Sequence, residues 1–379
     1  MRTTTAAAPL SDAPEVAIAH PRRTDAPEHE NASLCALARR LSVLLGIDYA
    51  ADYDAAAHHR RAYFVPACTL VGREAAEVLG IHAEHQMYGG VVPYAFVATK
   101  SVSHPLLNET ARAPQGWARG LAAELGDAVL PGYTAFTPED AEAAGRRLLR
   151  DGSVRLKPPL GTAGRGQVVV RDDAGLARAL ADCDAANIRE NGLVVELNLA
   201  ADVRTYSVGS VRVAGLEATY VGTQELTPDN QGEQVYGGST LRVVRGDFDA
   251  LLAASLSPPE QRAVALARRY DAAVQRHYPE LLASRRNYDV AAGRDAQGMD
   301  RMGVLEQSWR AGGASIAEIA ALEAFMADPR LREVTTQTRE RYGAHQPPPE
   351  DEALVFHGED GEVGFISKSG RILRYGGGK

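Results

Sequence analysis

Between two strand-like runs the chain carries Arg155-Leu156-Lys157-Pro158-Pro159-Leu160-Gly161-Thr162-Ala163-Gly164-Arg165-Gly166-Gln167-Val168-Val169-Val170, a glycine-rich loop with a lysine at its mouth. Gly161, Gly164 and Gly166 let the backbone turn tightly, so that its N–H groups converge on an anion, and the Lys157 ammonium stands where phosphate oxygens would lie. The two commoner phosphate loops do not fit. No Gly-Lys-Ser/Thr ending is present, and the glycine spacing is not that of a dinucleotide-binding turn. Taken alone, such a stretch is equally a plain hairpin turn. A second group lies far downstream, where Asp289 and Glu306 sit at the ends of two apolar runs. On neighbouring strands their carboxylates converge, and hard oxygen ligands of this kind hold Mg2+ against phosphate. In an extended strand Ser308 and Arg310 alternate onto the Glu306 face, adding a hydroxyl and a cation.

Further segments complete an ordered set: an apolar run ending at Lys100, then Val194-Val195-Glu196-Leu197-Asn198-Leu199, then Asp202-Val203-Arg204-Thr205-Tyr206-Ser207-Val208. Lysine, glycine-rich loop, hinge glutamate, Asp-x-Arg strand, acidic strand and a final Glu-x-x-x-Arg strand, in this order over roughly residues 90–325, resemble the ATP-grasp superfamily of ATP-dependent ligases. The resemblance implies an α/β protein with α+β lobes: an ATP-grasp fold, an α/β lobe ahead of it and a β-hairpin appendage after it. It implies ATP and Mg2+ as cofactors. Lys100 and Lys157 would reach phosphates beside Gly161, Gly164, Arg165 and Gly166. Glu196 would meet the adenine amino group with Leu199 on the ring edge, and Asp202 the ribose. Arg204 would face the transferred phosphoryl or an acidic substrate, and Arg310 the charge developing on the phosphoryl group. Asp289, Glu306 and Ser308 would hold the metal, although family members usually carry Asn where this chain has Ser308, and a hydroxyl ligates Mg2+ more weakly.

The implied reaction is ligation of a small-molecule carboxylate to an amine through an acyl phosphate. A small-molecule kinase on the same scaffold, and a degenerate grasp that binds nucleotide without turnover, stay open. So do plain structural readings of single residues: an edge-strand lysine for Lys157, a surface ion pair for Asp202 and Arg204, a loop residue for His104, the best placed of the histidines. The sequence is also similar to a bacterial family of grasp-like proteins, a resemblance that brings no substrate with it.

Bulk composition sets the frame for these groups. With 379 residues, 45% hydrophobic and 24% charged, the chain suits two or three soluble lobes rather than one core. A formal charge of −8 without a basic cluster argues against a nucleic-acid partner, and no apolar run is long enough for a bilayer. Cys35, Cys68 and Cys183 lack metal-like spacing and read as reduced thiols, which suggests a cytoplasmic location. A homodimer is left open.

Along the chain, residues 1–32 read as a disordered tail, 33–130 as the N-terminal lobe, 131–200 as the small grasp lobe, 201–330 as the large grasp lobe and 331–379 as an extension. Helices are predicted over 33–47, 72–79, 137–150, 172–182 and 258–278, with Thr137 as N-cap and Pro138 at the first helical position. Strands are predicted over 63–66, 129–134 and beside the loop, with 89–100 a turn into a buried strand. Residues 227–238 read as a surface loop over a cleft, and 353–375 as a hairpin with turns at Gly361 and Gly370.

Overall fold

The structure, a computed structural model, describes residues 13–160, 166–343 and 348–376. The chain begins with β1 (Val16–Ile18), α1 (Glu28–Leu45), β2 (Asp48–Ala50), α2 (Ala55–His58) and β3 (Ala62–Phe64). The three strands form a parallel sheet with β1 in the centre. Parallel neighbours need a crossover, and α1, which ends at Gly46 in the left-handed region, supplies the one between β1 and β2. The disordered tail expected through residue 32 is thereby corrected. From residue 13 the chain is built into the lobe, and Ala17 and Ile18 are fully buried. A three-residue strand is too short to show a period, and its burial comes from partners far along the chain.

Next come β4 (Leu70–Val71), α3 (Arg73–Leu79) and β5 (Gly90–Val92). The buried strand expected over 89–100 ends at Val92, and 3-10 turns over Ala95–Ala98 and Lys100–Ser103 replace the rest. Thr99 caps the second turn by accepting from the Ser101 N–H, which fixes Lys100 in a turn rather than at a strand end.

After α4 (Arg119–Leu125), a four-stranded antiparallel sheet is formed by β6 (Gly132–Ala135), β7 (Val154–Lys157), β8 (Val168–Val170) and β9 (Leu193–Leu197), in the order β6-β9-β7-β8. Helices α5 (Pro138–Leu148), α6 (Asp173–Ala181) and α7 (Ala185–Asn191) belong to the same lobe. Ala141, Ala144, Leu148, Leu176 and Ile188 pack on Val154, Leu156, Val170 and Val195, closing one face of the sheet and leaving the other to the alternate residues.

The remaining chain builds one eight-stranded sheet from β10 (Ala201–Val213), β11 (Leu216–Pro228), β12 (Gln234–Arg245), β14 (Arg285–Arg294), β15 (Asp300–Ser308), β16 (Glu333–Tyr342), β17 (Ala353–Asp360) and β18 (Gly364–Gly376); β13 (Leu282–Ala283) instead pairs with β5. The order is β15-β14-β10-β11-β12-β16-β18-β17. On one face α8 (Phe248–Leu252) and α9 (Pro258–His277) cover Tyr206, Val208, Tyr288, Val290 and Val304. On the other lies α10 (Ser315–Ala327), apolar all round because α1 backs it from outside.

Two expectations change here. Residues 227–238 are the end of a long hairpin rather than a loop, since β11 runs to Pro228 and β12 starts at Gln234. Both faces of that arm are largely solvated, so its strands show no apolar alternation. The extension after residue 330 is likewise no separate appendage, because β16 pairs with β12 and continues the sheet. Its hairpin turns between Asp360 and Gly364, whereas Gly370 lies inside β18, where a Cβ would come within 2.4 Å of Ile316.

Candidate functional site

Lys157 ends β7, and alternation turns it, with Arg155 and Glu196, onto the open face of the small sheet. Its ammonium donates to both Glu196 oxygens, at 3.1 and 3.2 Å, and to the Leu305 carbonyl at 3.3 Å. Glu196 is buried and also meets His104 Nε2, 3.1 Å from its Oε2. Burial raises this carboxyl, but Lys157 and His104 outweigh that and hold it below its ordinary value. The Leu305 carbonyl is available because β15 bulges: Glu306 pairs with Asp289 and Val304 with Val290, leaving Leu305 outside the ladder.

The same bulge places Glu306. Its Oε2 lies 2.8 Å from Nζ of the buried Lys100. Lys100 is positioned by Gln307, which donates to the carbonyls of Val97 and Thr99 at 2.8 and 2.7 Å. Asp289 stands directly opposite Glu306 and accepts from Gln224 at 2.9 Å, Asn287 at 3.2 Å and Ser207 at 3.3 Å. Burial, and then the Glu306 carboxylate, push the Asp289 carboxyl up to about 6. Glu306 has Lys100 as its cation while Asp289 accepts only from uncharged side chains in these bonds, and the two facing carboxylates form a donor set that suits a hard divalent cation. Among the described residues no three His, Cys, Asp or Glu side chains gather to enclose a metal. Substrate oxygens would have to complete the shell, as Mg2+ readily accepts.

Ser308 is the last residue of β15, and its Oγ lies 3.4 Å from Nη1 of Arg285. Because the strand ends there, Arg310 does not continue the alternation expected of it; its guanidinium donates to the Ala311 carbonyl at 2.8 Å. The Arg310 carbonyl is held instead by Arg285 at 2.6 Å. Arg285 in turn is anchored on Glu318 of α10, 2.7 Å away, whose carboxylate also accepts from Tyr220 at 2.6 Å and from Tyr88.

The remaining expected residues lie apart from this cluster. Asp202, with φ +54, is exposed and pairs with Arg294 rather than Arg204. Arg204 is exposed and alternates onto the Tyr206 face, opposite the Ser207 face that meets Asp289, so the structure does not bring it to the carboxylates. Leu199 packs against Gly293 where the chain leaves β9 for β10. Gly166, φ +74, closes the glycine-rich loop, and Gly161, Gly164 and Arg165 lie outside the described residues. The residues that sequence reasoning passed over are Ser207, Gln224, Asn287, Arg285 and Glu318. Arg285 and Asn287 alternate with Asp289 along one strand face, and Glu318 is a fully buried carboxylate in the first turn of a mostly apolar helix; both signals were present.

A family described as "Protein of unknown function (DUF3182)" matches residues 17–370. No curated protein matches the chain in sequence. Among solved structures, carboxyaminoimidazole ribonucleotide synthase from Aspergillus clavatus, complexed with ATP, is 12% identical, with 94% of this chain and 93% of that one covered at a TM-score of 0.51. D-alanyl-alanine synthetase A from Vibrio cholerae is 14% identical, with 82% and 92% covered at 0.49. The biotin carboxylase domain of Hydrogenobacter thermophilus 2-oxoglutarate carboxylase is 14% identical, with 95% and 86% covered at 0.49. At such identities the likeness to the first speaks for the fold alone, and it is the mixed α/β ATP-grasp fold that the motifs resemble.

Proposed function

We propose that this chain, which belongs to the DUF3182 family and has the ATP-grasp fold, is an ATP-dependent ligase that joins a small-molecule carboxylate to an amine. The observation that carries this reading is the meeting of two buried lysines and two facing carboxylates around the bulge of edge strand β15, which carries Glu306 and the Leu305 carbonyl while Asp289 faces them from β14. Lys157 and Lys100 exchange their carboxylate partners for phosphate oxygens. Glu196 accepts from the adenine amino group, the backbone at Leu199 flanks the ring, and Asp202 takes the ribose. Asp289 and Glu306, with Ser308, hold Mg2+, which when bound neutralises charge on the phosphate oxygens. Arg310 leaves the Ala311 carbonyl for the transferring group.

In the first step a carboxylate oxygen of the substrate attacks the γ-phosphorus in line, the β–γ bridging bond breaks and ADP departs. In the second an amine nitrogen attacks the acyl carbon, loses its proton, and phosphate leaves with the C–O electron pair. An ionised carboxylate is a poor acyl donor and its mixed anhydride a good one, so splitting the reaction lowers the barrier. The free thiols of Cys35, Cys68 and Cys183 support a cytoplasmic setting. A second reading, a nucleotide-binding protein without turnover, is favoured by Ser308 standing at a position where the fold's enzymes usually carry an amide and here lying against Arg285.

The test is phosphate release from ATP with Mg2+ over mixtures of carboxylic acids and amines. Release only when both are present is the expected result. A phosphorylated hydroxyl compound would make the protein a kinase, and nucleotide binding with no release under any mixture would favour the silent reading.

A further inference from the structure

The motifs do not account for His104, which is 1% exposed and follows the turn that carries Lys100. Its Nε2 lies 3.1 Å from Glu196 Oε2, and its Nδ1 has no hydrogen-bond partner among the described residues. An ionised carboxylate only accepts, so Nε2 carries the proton and donates. The ring is held on its other side by packing against Gly132, where a Cβ would approach Nδ1 to 2.8 Å and Cε1 to 2.9 Å. Glu196 thus has two buried partners of different kinds. Lys157 is on a flexible stem and is the cation a phosphate would attract, whereas the imidazole is fixed in place.

We propose that His104 is a positioning residue for nucleotide recognition: it keeps Glu196 hydrogen-bonded and aimed when Lys157 is transferred from Glu196 to the nucleotide phosphate. Without it, that transfer leaves a buried carboxylate with no protein partner, which is costly and frees the side chain to turn. The oxygen that His104 does not hold stays available as an acceptor, which suits a 6-amino purine and disfavours a 6-oxo purine. Gly132 is required because any side chain there pushes the ring off Glu196. The inference rests on the nucleotide-binding reading above.

Calorimetry with ATP and with ITP, on the full chain, tests it in His104→Phe, which keeps the ring volume without a donor, and His104→Gln, which restores an N–H. The expected result is ATP affinity roughly tenfold or more weaker in the Phe variant, a clearly smaller loss for ITP, which shares the cost of the stranded carboxylate but has no 6-amino group to lose, and near-wild-type discrimination in the Gln variant. Should the Phe variant fail to fold, Gly132→Ala gives the same readout by displacing the ring. Equal losses for ATP and ITP, or equal losses in the Phe and Gln variants, would overturn the positioning role and leave His104 a packing residue. A wild type that binds ATP, with variants that bind it as tightly, would also overturn it while sparing the ligase reading; a wild type that binds neither nucleotide removes both.

Discussion

The ammonium of Lys100 lies 2.8 Å from the Glu306 carboxylate, the two side chains coming from a turn of the N-terminal lobe and from the edge of the large sheet. One expected phosphate ligand and one expected metal ligand therefore neutralise each other, and Lys157 and Glu196 do the same 3.1 Å apart. In this arrangement both buried lysines are held in internal ion pairs, while Asp289 accepts only from the uncharged Gln224, Asn287 and Ser207.

Replacing Glu306 separates binding from chemistry. Glu306→Gln releases Lys100 from its carboxylate, so nucleotide affinity should change by less than about tenfold while ATP-dependent phosphate release falls by roughly a hundredfold or more. Phosphate release measured beside binding checks this; turnover that survives unchanged would make Glu306 structural.

Ser308 decides how well a hydroxyl serves at the end of β15. Ser308→Asn should keep or raise turnover by supplying an amide oxygen, and Ser308→Ala should lower it, both read as rates of phosphate release. If Ala is as active as Ser, the metal shell does not include this position.

Arg285 and Glu318 form a pair with exposures of 2% and 0%, and burial of Glu318 alone would raise its carboxyl, which Arg285, Tyr220 and Tyr88 reverse. Removing one partner strands a buried charge, so Glu318→Leu should cost about 3–5 kcal/mol. The double change Glu318→Leu with Arg285→Met should recover much of that loss. Urea unfolding of the two variants measures the difference; equal stabilities would mean that the pair is not coupled.

His29 sets an acid limit on stability. Burial, then the Lys368 charge, lower its imidazole from 6.5 to about 4, with Asp360 opposing them. The unfolded chain therefore binds a proton that the folded chain refuses, so this stability is fully present above pH 6.5 and is lost as pH falls towards 4. His29→Gln should flatten the fall in unfolding free energy across that window relative to wild type, and an unchanged slope would show that His29 takes no part.

Much of this was legible where the signal is local. Thr137 and Pro138 announce α5, because caps act within one turn. Lys157 could be picked out by the glycine-rich loop it precedes, and Glu196 and Glu306 by the apolar residues just before them, whereas Asp289, expected at the end of an apolar run, lies in the middle of β14. What depends on distant partners was not legible. β16 belongs to the large sheet only through its pairing with β12, and β1 is a strand only because β2 and β3 flank it. Arg310 leaves the alternation expected of it because β15 stops at Ser308, where Arg285 from another strand holds the Arg310 carbonyl.

The most direct test is titration of the intact protein with ATP in the presence of Mg2+, by calorimetry, on wild type and on Lys157→Gln, with melting curves to confirm that both are folded. One nucleotide should bind per chain, and binding should be at least tenfold weaker when the Lys157 charge is removed. No binding by the wild type, or the same affinity in both proteins, would contradict this.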